Sequence, residues 1–181
     1  MPILAKRGKA GMRRDSDKYF CGESHMAENV IIITTDLSEE SSEALTQGIQ
    51  HAKMTNADVK VLYVAQKFEL PVALQRQLND PEAIKNMELT YQEDEEKLLA
   101  QFLAAHNVSD GVDPIVEFSE EPASEIICQY AKSLDARLIV MASQGKGTLG
   151  RIFLGSNTQK VVAQASCPIL IIPPHKEDES S

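Results

Sequence analysis

In the stretch Asn29 to Thr35, NVIIITT, every residue after the first is β-branched. A strand with one wet face alternates apolar and polar side chains, whereas one covered on both faces reads as a continuous run. This run therefore calls for a layer of structure on each side, as in a parallel sheet. Parallel neighbours cannot be joined by a tight hairpin. They need crossovers of a dozen residues or more, usually helical, so the rest of the chain must alternate strand and helix.

It does so. Asp36-Leu37-Ser38 leaves the run and enters a helix, with Ser38 placed as N-cap, Glu39 and Glu40 in the first turn, and Ala44, Leu45, Ile49 and Ala52 on the inward face. After the turn-like Thr55-Asn56-Ala57 comes a second strand, Asp58 to Val64. Gln66 to Asn79 shows no periodicity and contains Pro71, so it reads as a surface loop. Asp80-Pro81-Glu82 opens a long helix to Ala105, because Asp caps and Pro suits the first helical position. Its inward stripe is predicted as Ile84, Met87, Tyr91, Leu98 and Phe102. The Glu93 to Glu96 acidic run reads as a solvated face rather than an acidic docking site. Val112 to Phe118 is a third strand, and Pro114 suggests a sheet edge. A helix over Pro122 to Leu134, with Ala123, Ile126, Ile127, Tyr130, Ala131 and Leu134 inward, precedes a fourth strand from Arg137 to Ala142. A helix from Asn157 to Ala165 and a last strand from Pro168 to Ile172 follow.

Right-handed crossovers make a single doubly wound, five-stranded parallel sheet the economical solution, Rossmann-like, with helices on both faces. Ligands of such sheets bind beyond the carboxyl ends of the strands at the switch point. That location gathers the loops after the first strand (Asp36), the second (Val64) and the fourth (Ala142 to Ser156).

The last of these loops carries the clearest chemical signal. Gly145, Gly147, Gly150 and Gly155 all fall within it. Glycine lets a loop turn tightly and bring several backbone N–H groups to one oxyanion. No Asp or Glu occurs between Leu138 and Ala165, while Lys146, Arg151 and Lys160 supply positive charge. Ser156 with Gln159 three residues on has the capping-box pattern, so a helix N-terminus would face the same anion. The competing reading is a surface loop before an ordinarily capped helix.

Bulk properties close off other classes. The formal net charge of -9 and pI near 4.9 disfavour nucleic acid as a partner. No apolar run approaches the roughly 20 residues of a membrane span. Cys21, Cys128 and Cys167 are scattered, with no metal spacing to His25, His51, His106 or His175. They suit free thiols in a reducing cytoplasm, and Cys128 and Cys167 read as packing residues. Residues 1–28 have no apolar periodicity and read as a disordered basic extension, with Met26 a potential alternative start; residues 174–181 read as an acidic flexible tail.

Between Asn29 and Pro173 the chain resembles the universal stress protein family. The resemblance is carried by TTDLS after the first strand, LYV closing the second, LIVMASQG closing the fourth, LGS ending the loop, and CPILII at the last strand. Nucleotide-binding members have G-x-x-G, nine residues, then G-[S/T]. Here Gly145, nine residues and Gly155-Ser156 match, while Ala142 replaces the first glycine. The resemblance implies an adenine nucleotide alpha hydrolase-like fold and an ATP site, with Mg2+ accompanying the phosphates. Asp36, beside Thr35, would meet the ribose or adenine end, and the Val64 backbone would read the adenine edge. Met141 and Ala142 would line the ribose; Gly145, Lys146, Gly155, Ser156 and Asn157 would hold phosphates. At Asp36 the competing role is stabilising a helix start; at Ser156 it is capping. The resemblance further implies a homodimer paired through Pro168 to Ile172 and an unknown protein partner. A stress protein of the same fold without nucleotide is the alternative. No Walker lysine-serine pair, SGGxDS-type loop or HxGH is present, so no designed enzyme is indicated and at most slow ATP hydrolysis is expected.

Overall fold

The computed structural model describes residues 29–78, 80–108, 110–144 and 154–173. The two terminal segments, and Gly145 and Lys146 in the glycine-rich loop, lie outside the described residues.

The β-branched run forms β1 (Val30–Thr35), buried at all six positions. It is followed by α1 (Glu39–Thr55), β2 (Asp58–Gln66), α2 (Val72–Leu78), α3 (Pro81–Ala105) and β3 (Val112–Ser119), then α4 (Ala123–Ser133), β4 (Leu138–Ala142), α5 (Ser156–Gln164) and β5 (Ile169–Ile172). The five strands are parallel in the order β3-β2-β1-β4-β5. β1 is central, and the order reverses between β1 and β4. Pro114 does lie in an edge strand, where its missing N–H costs the ladder least.

Alternation along the strands divides the interior into two cores. Ile31, Ile33, Val59, Val61, Leu138 and Val140 face α1 and α3. Val30, Ile32, Leu62, Ile139 and Met141 face Ile127 and Ala131 of α4 and Val161 of α5. Asn29 ties the bottom of the sheet together. Its Nδ2 donates to Thr55 O (2.8 Å) and Asn56 O (3.0 Å), and its Oδ1 accepts from Arg137 Nη1 (3.0 Å). Asn56 closes α1 in the left-handed region (φ 49°), a conformation Asn tolerates.

Two expectations change. The segment read as a surface loop contains the short helix α2, which escaped notice because seven residues are too few to show a periodic stripe. In α3 the buried residues are Leu99 and Leu103, whereas Met87 and Leu98 are 42% and 46% exposed. Leu98 and Leu99 are one helical step apart, so spacing alone chose the wrong one. Tyr91 is half-buried: its ring meets Phe68 and Phe118 at 5.6 and 6.0 Å, and its hydroxyl donates to Gln66 O.

Candidate functional site

At the carboxyl end of β1 the chain makes a tight turn through Thr35-Asp36-Leu37-Ser38. Asp36 Oδ1 accepts the Ser38 backbone N–H at 3.2 Å and the Ser38 hydroxyl at 2.5 Å. Thr35 Oγ1 accepts the Leu37 N–H at 2.9 Å. It also bonds Ser41 Oγ at 2.8 Å, and that hydroxyl donates to Ser38 O at 2.7 Å. Leu37 has φ 61°, unusual for a branched residue and costing on the order of 1–3 kcal/mol. The hydroxyl network and the packing of Leu37 against the α1-side core maintain it. Ser38 is the N-cap of α1 as expected, but its side chain serves Asp36 rather than a helix N–H. Asp36 precedes that cap, and the first-turn acids are Glu39 and Glu40.

β2 continues past the last residue paired with β1, where Thr35 lies opposite Tyr63. Val64 therefore lies beyond the end of β1, and it shares a strand face with Leu62, on the side of Ala123 and Ile127 in the first turns of α4. Across the switch point, β4 ends at Met141 and Ala142. Ala142 O accepts Thr158 Oγ1 (3.1 Å), Ser143 O accepts the Gly155 N–H (2.8 Å), and Ser143 N–H donates to Ile172 O (2.8 Å). The first two bonds fix the start of α5 against the end of β4, and the third ties that end to β5.

The sequence expectation for that helix start needs correction. Gly155 is the N-cap, Ser156 is the first helical residue, and no side chain caps the helix. Gln159 Nε2 instead donates to Leu154 O at 2.7 Å. The reciprocal box fails because the extended φ of -56° and ψ of 154° that define the cap fall on Gly155, one residue earlier. The first helical N–H groups are thus not satisfied by an Ser156 side-chain cap. Gly155 also has a negative φ, and a Cβ there would meet only Ser143 O at 3.6 Å, Thr158 Oγ1 at 3.7 Å and Gln144 Cα at 3.8 Å, all ordinary contacts. Neither backbone conformation nor packing requires glycine at 155. What its missing side chain leaves open is the adjoining cleft.

That cleft has a volume of about 430 Å³, within the roughly 300–1,000 Å³ of small-molecule sites. Thr35, Asp36, Val64, Met141, Ala142, Gly155, Ser156 and Asn157 all border it. Thr34, Ser41, Leu62, Ala123, Ile127, Gln144 and Thr158 border it too and were not anticipated. Leu62 was legible, being two residues before Val64 on the same strand face. Ala123 and Ile127 were not, since they follow the edge strand β3 and reach the cleft only through the crossover over β2.

Among the described lining residues Asp36 is the single ionisable group. The lining is apolar at Leu62, Val64, Ile127 and Met141, and elsewhere offers hydroxyls, amides and a helix N-terminus free of first-turn acids. This suits a ligand with a flat apolar part, a hydroxyl-bearing middle and an anionic tail. Among the described residues no group of three His, Cys, Asp or Glu could hold a metal ion, and no helix is long and apolar enough to cross a membrane. Cys128 and Cys167 pack against the α4–α5 core, where burial raises both thiol pKa values above the ordinary range.

A model of the universal stress protein family matches residues 29–173. A universal stress protein of Methanocaldococcus jannaschii is 31% identical over 159 residues, covering 82% of this chain and 84% of that protein. One from Bacillus subtilis is 29% identical, covering 80% and 98%. Among solved structures, a universal stress protein from Lactobacillus plantarum superposes with a TM-score of 0.58 at 21% identity, covering 82% and 99%. The Archaeoglobus fulgidus universal stress protein in complex with dAMP gives 0.56 at 16%, covering 81% and 99%. The strand order, the matched span and the identity to its relatives agree: this chain belongs to the universal stress protein family.

Proposed function

We propose that the cleft binds an adenine nucleotide, ATP with Mg2+ carried on its phosphates, and that the protein is a regulatory module of a stress response in the cytoplasm. The base lies in the apolar end against Leu62, Val64 and Ile127, its edge read by the β2 backbone beyond the reach of β1. Asp36, oriented by Ser38, accepts ribose hydroxyls beside Met141 and Ala142, as a carboxylate does in dinucleotide sites. Gly155, Ser156 and Asn157 at the start of α5, with Gly145 and Lys146 of the preceding loop, take the phosphates. Mg2+ would neutralise phosphate charge there. No histidine borders the cleft among the described residues, and the reading is binding rather than designed turnover. The nucleotide state would pass to a homodimer paired through Pro168 to Ile172, or to a protein partner. β5 is an apolar edge strand that such pairing would cover.

The observation that carries this reading is that eight of the residues the resemblance implies border one cleft at the switch point. Support by likeness comes from a fold relative solved in complex with cAMP, at 16% identity and a TM-score of 0.53. Ala142 favours a second reading, a module that works by protein contacts alone, since a methyl group stands at the ribose end. Heat release of the purified protein followed by chromatography separates the two. A stoichiometric adenine nucleotide peak is expected; a protein that is empty and stays empty after incubation with millimolar ATP selects the second.

A further inference from the structure

The corner where α2 meets α3 is unlike the rest of the surface. Val72, Leu74 and Leu78 of α2 and Met87 of α3 are 62%, 44%, 37% and 42% exposed. Leu74 and Leu78 are one turn apart and share a helix face. The segment that carries them is acidic: from Glu69 to Glu96 the sequence has eight acidic residues against Arg76 and Lys85. Asp80, Glu82, Glu93 and Asp94 are exposed. Of these, Asp80 caps α3 and Asp94 pairs with Lys97 at 3.0 Å. Exposed apolar side chains on a segment of net negative charge suit a docking partner, and the complement is a segment both basic and apolar.

The chain itself contains one. Residues 1–18, MPILAKRGKAGMRRDSDK, carry six basic and two acidic side chains interspersed with Ile3, Leu4 and Met12. Residues 29–173 have 20 acidic and 11 basic, a formal -9. A chain of 28 residues before Asn29 spans up to roughly 90 Å when extended, more than enough to run from the bottom of β1 to this corner. We propose that the basic N-terminal segment docks on the apolar and acidic α2–α3 corner of its own chain. Lysine and arginine stems cover the leucines and Met87 while their charged heads meet Glu82 and Glu93. α2 follows the end of β2, whose Val64 borders the cleft, so docking would brace the segment that frames the base-binding end.

Amide hydrogen exchange tests this on the full chain and on a full-length variant with Lys6, Arg7, Lys9, Arg13 and Arg14 each changed to Gln. In low salt, amides of residues 72–98 should exchange about fivefold faster in the variant, with β1 and β4 unchanged. Raising salt to about 1 M, where the Debye length is about 3 Å, should bring the parent to the variant's rate. Equal rates in the two proteins overturn the proposal. So does protection of 72–98 that grows with protein concentration, which would assign the corner to a second copy. Neither result bears on nucleotide binding, which is read separately.

Discussion

Ser124 is fully buried in the first turn of α4, and its hydroxyl has no hydrogen-bond partner among the described residues. A buried hydroxyl without a partner costs on the order of 1–3 kcal/mol. Ser124→Ala should therefore raise the melting temperature by at least about 2 °C in calorimetry, at about 2–4 °C per kcal/mol for a protein of this size. Ala142 tests the chemistry of the cleft in the same way. Ala142→Gly removes the methyl group at the ribose end, so titration should show ATP binding about tenfold tighter, alongside about 0.5–1 kcal/mol lost in denaturant because glycine weakens a strand. At this scale the sequence was legible where chemistry restricts choice. Asp36 was legible because few residues suit its position, and Gly155 because it closes the glycine-rich loop. Ser156 was mistaken for a cap because one residue of register decides which backbone is extended, and Thr158 was missed because its bond to Ala142 O spans 16 residues.

α1 lies close against the sheet at Gly48. A Cβ there would sit 2.6 Å from Ile33 Cδ1, 2.8 Å from Ile33 Cγ1 and 3.4 Å from Val140 Cγ1. Gly48→Ala should gain about 1 kcal/mol of helix propensity and lose more to overpacking, about 1–3 kcal/mol, because Ile33 is fully buried. The urea midpoint should fall. On α3, Glu95 accepts the Tyr63 hydroxyl at 2.8 Å. Burial first, then Glu95, raise the Tyr63 pKa well above its ordinary 10. The folded protein then keeps a proton that the unfolded chain gives up. The resulting stability is complete below pH 10 and is lost as pH rises through the folded value. Tyr63→Phe should accordingly lose less stability than the parent between pH 10 and 11, read from denaturant midpoints at each pH. Elements were legible in proportion to their burial. β1, with no exposed residue, was plain from its composition, whereas α2, all of whose described side chains are exposed, left no apolar period. α3 was seen as a helix with Phe102 rightly inward, but Leu98 was chosen over the buried Leu99 because adjacent leucines fit a stripe almost equally well.

For the whole molecule, parallel pairing was legible because no connection between successive strands is short enough for a hairpin, and handedness then restricts the topology. The order β3-β2-β1-β4-β5 puts the turn after β1 beside the ends of β2 and β4, so three segments distant in sequence meet in one cleft. The contribution of α4 was not legible, since it depends on how a crossover lies over β2 rather than on any local pattern. In the proposed function this cleft holds an adenine nucleotide through Asp36. The most direct test is isothermal titration of the full chain with ATP and magnesium beside Asp36→Asn, a change that retains an acceptor for Ser38. One saturable site with Kd below about 1 mM is expected, weakened about tenfold or more in the variant. No saturable heat up to millimolar ATP, or equal binding by the two proteins, would contradict it.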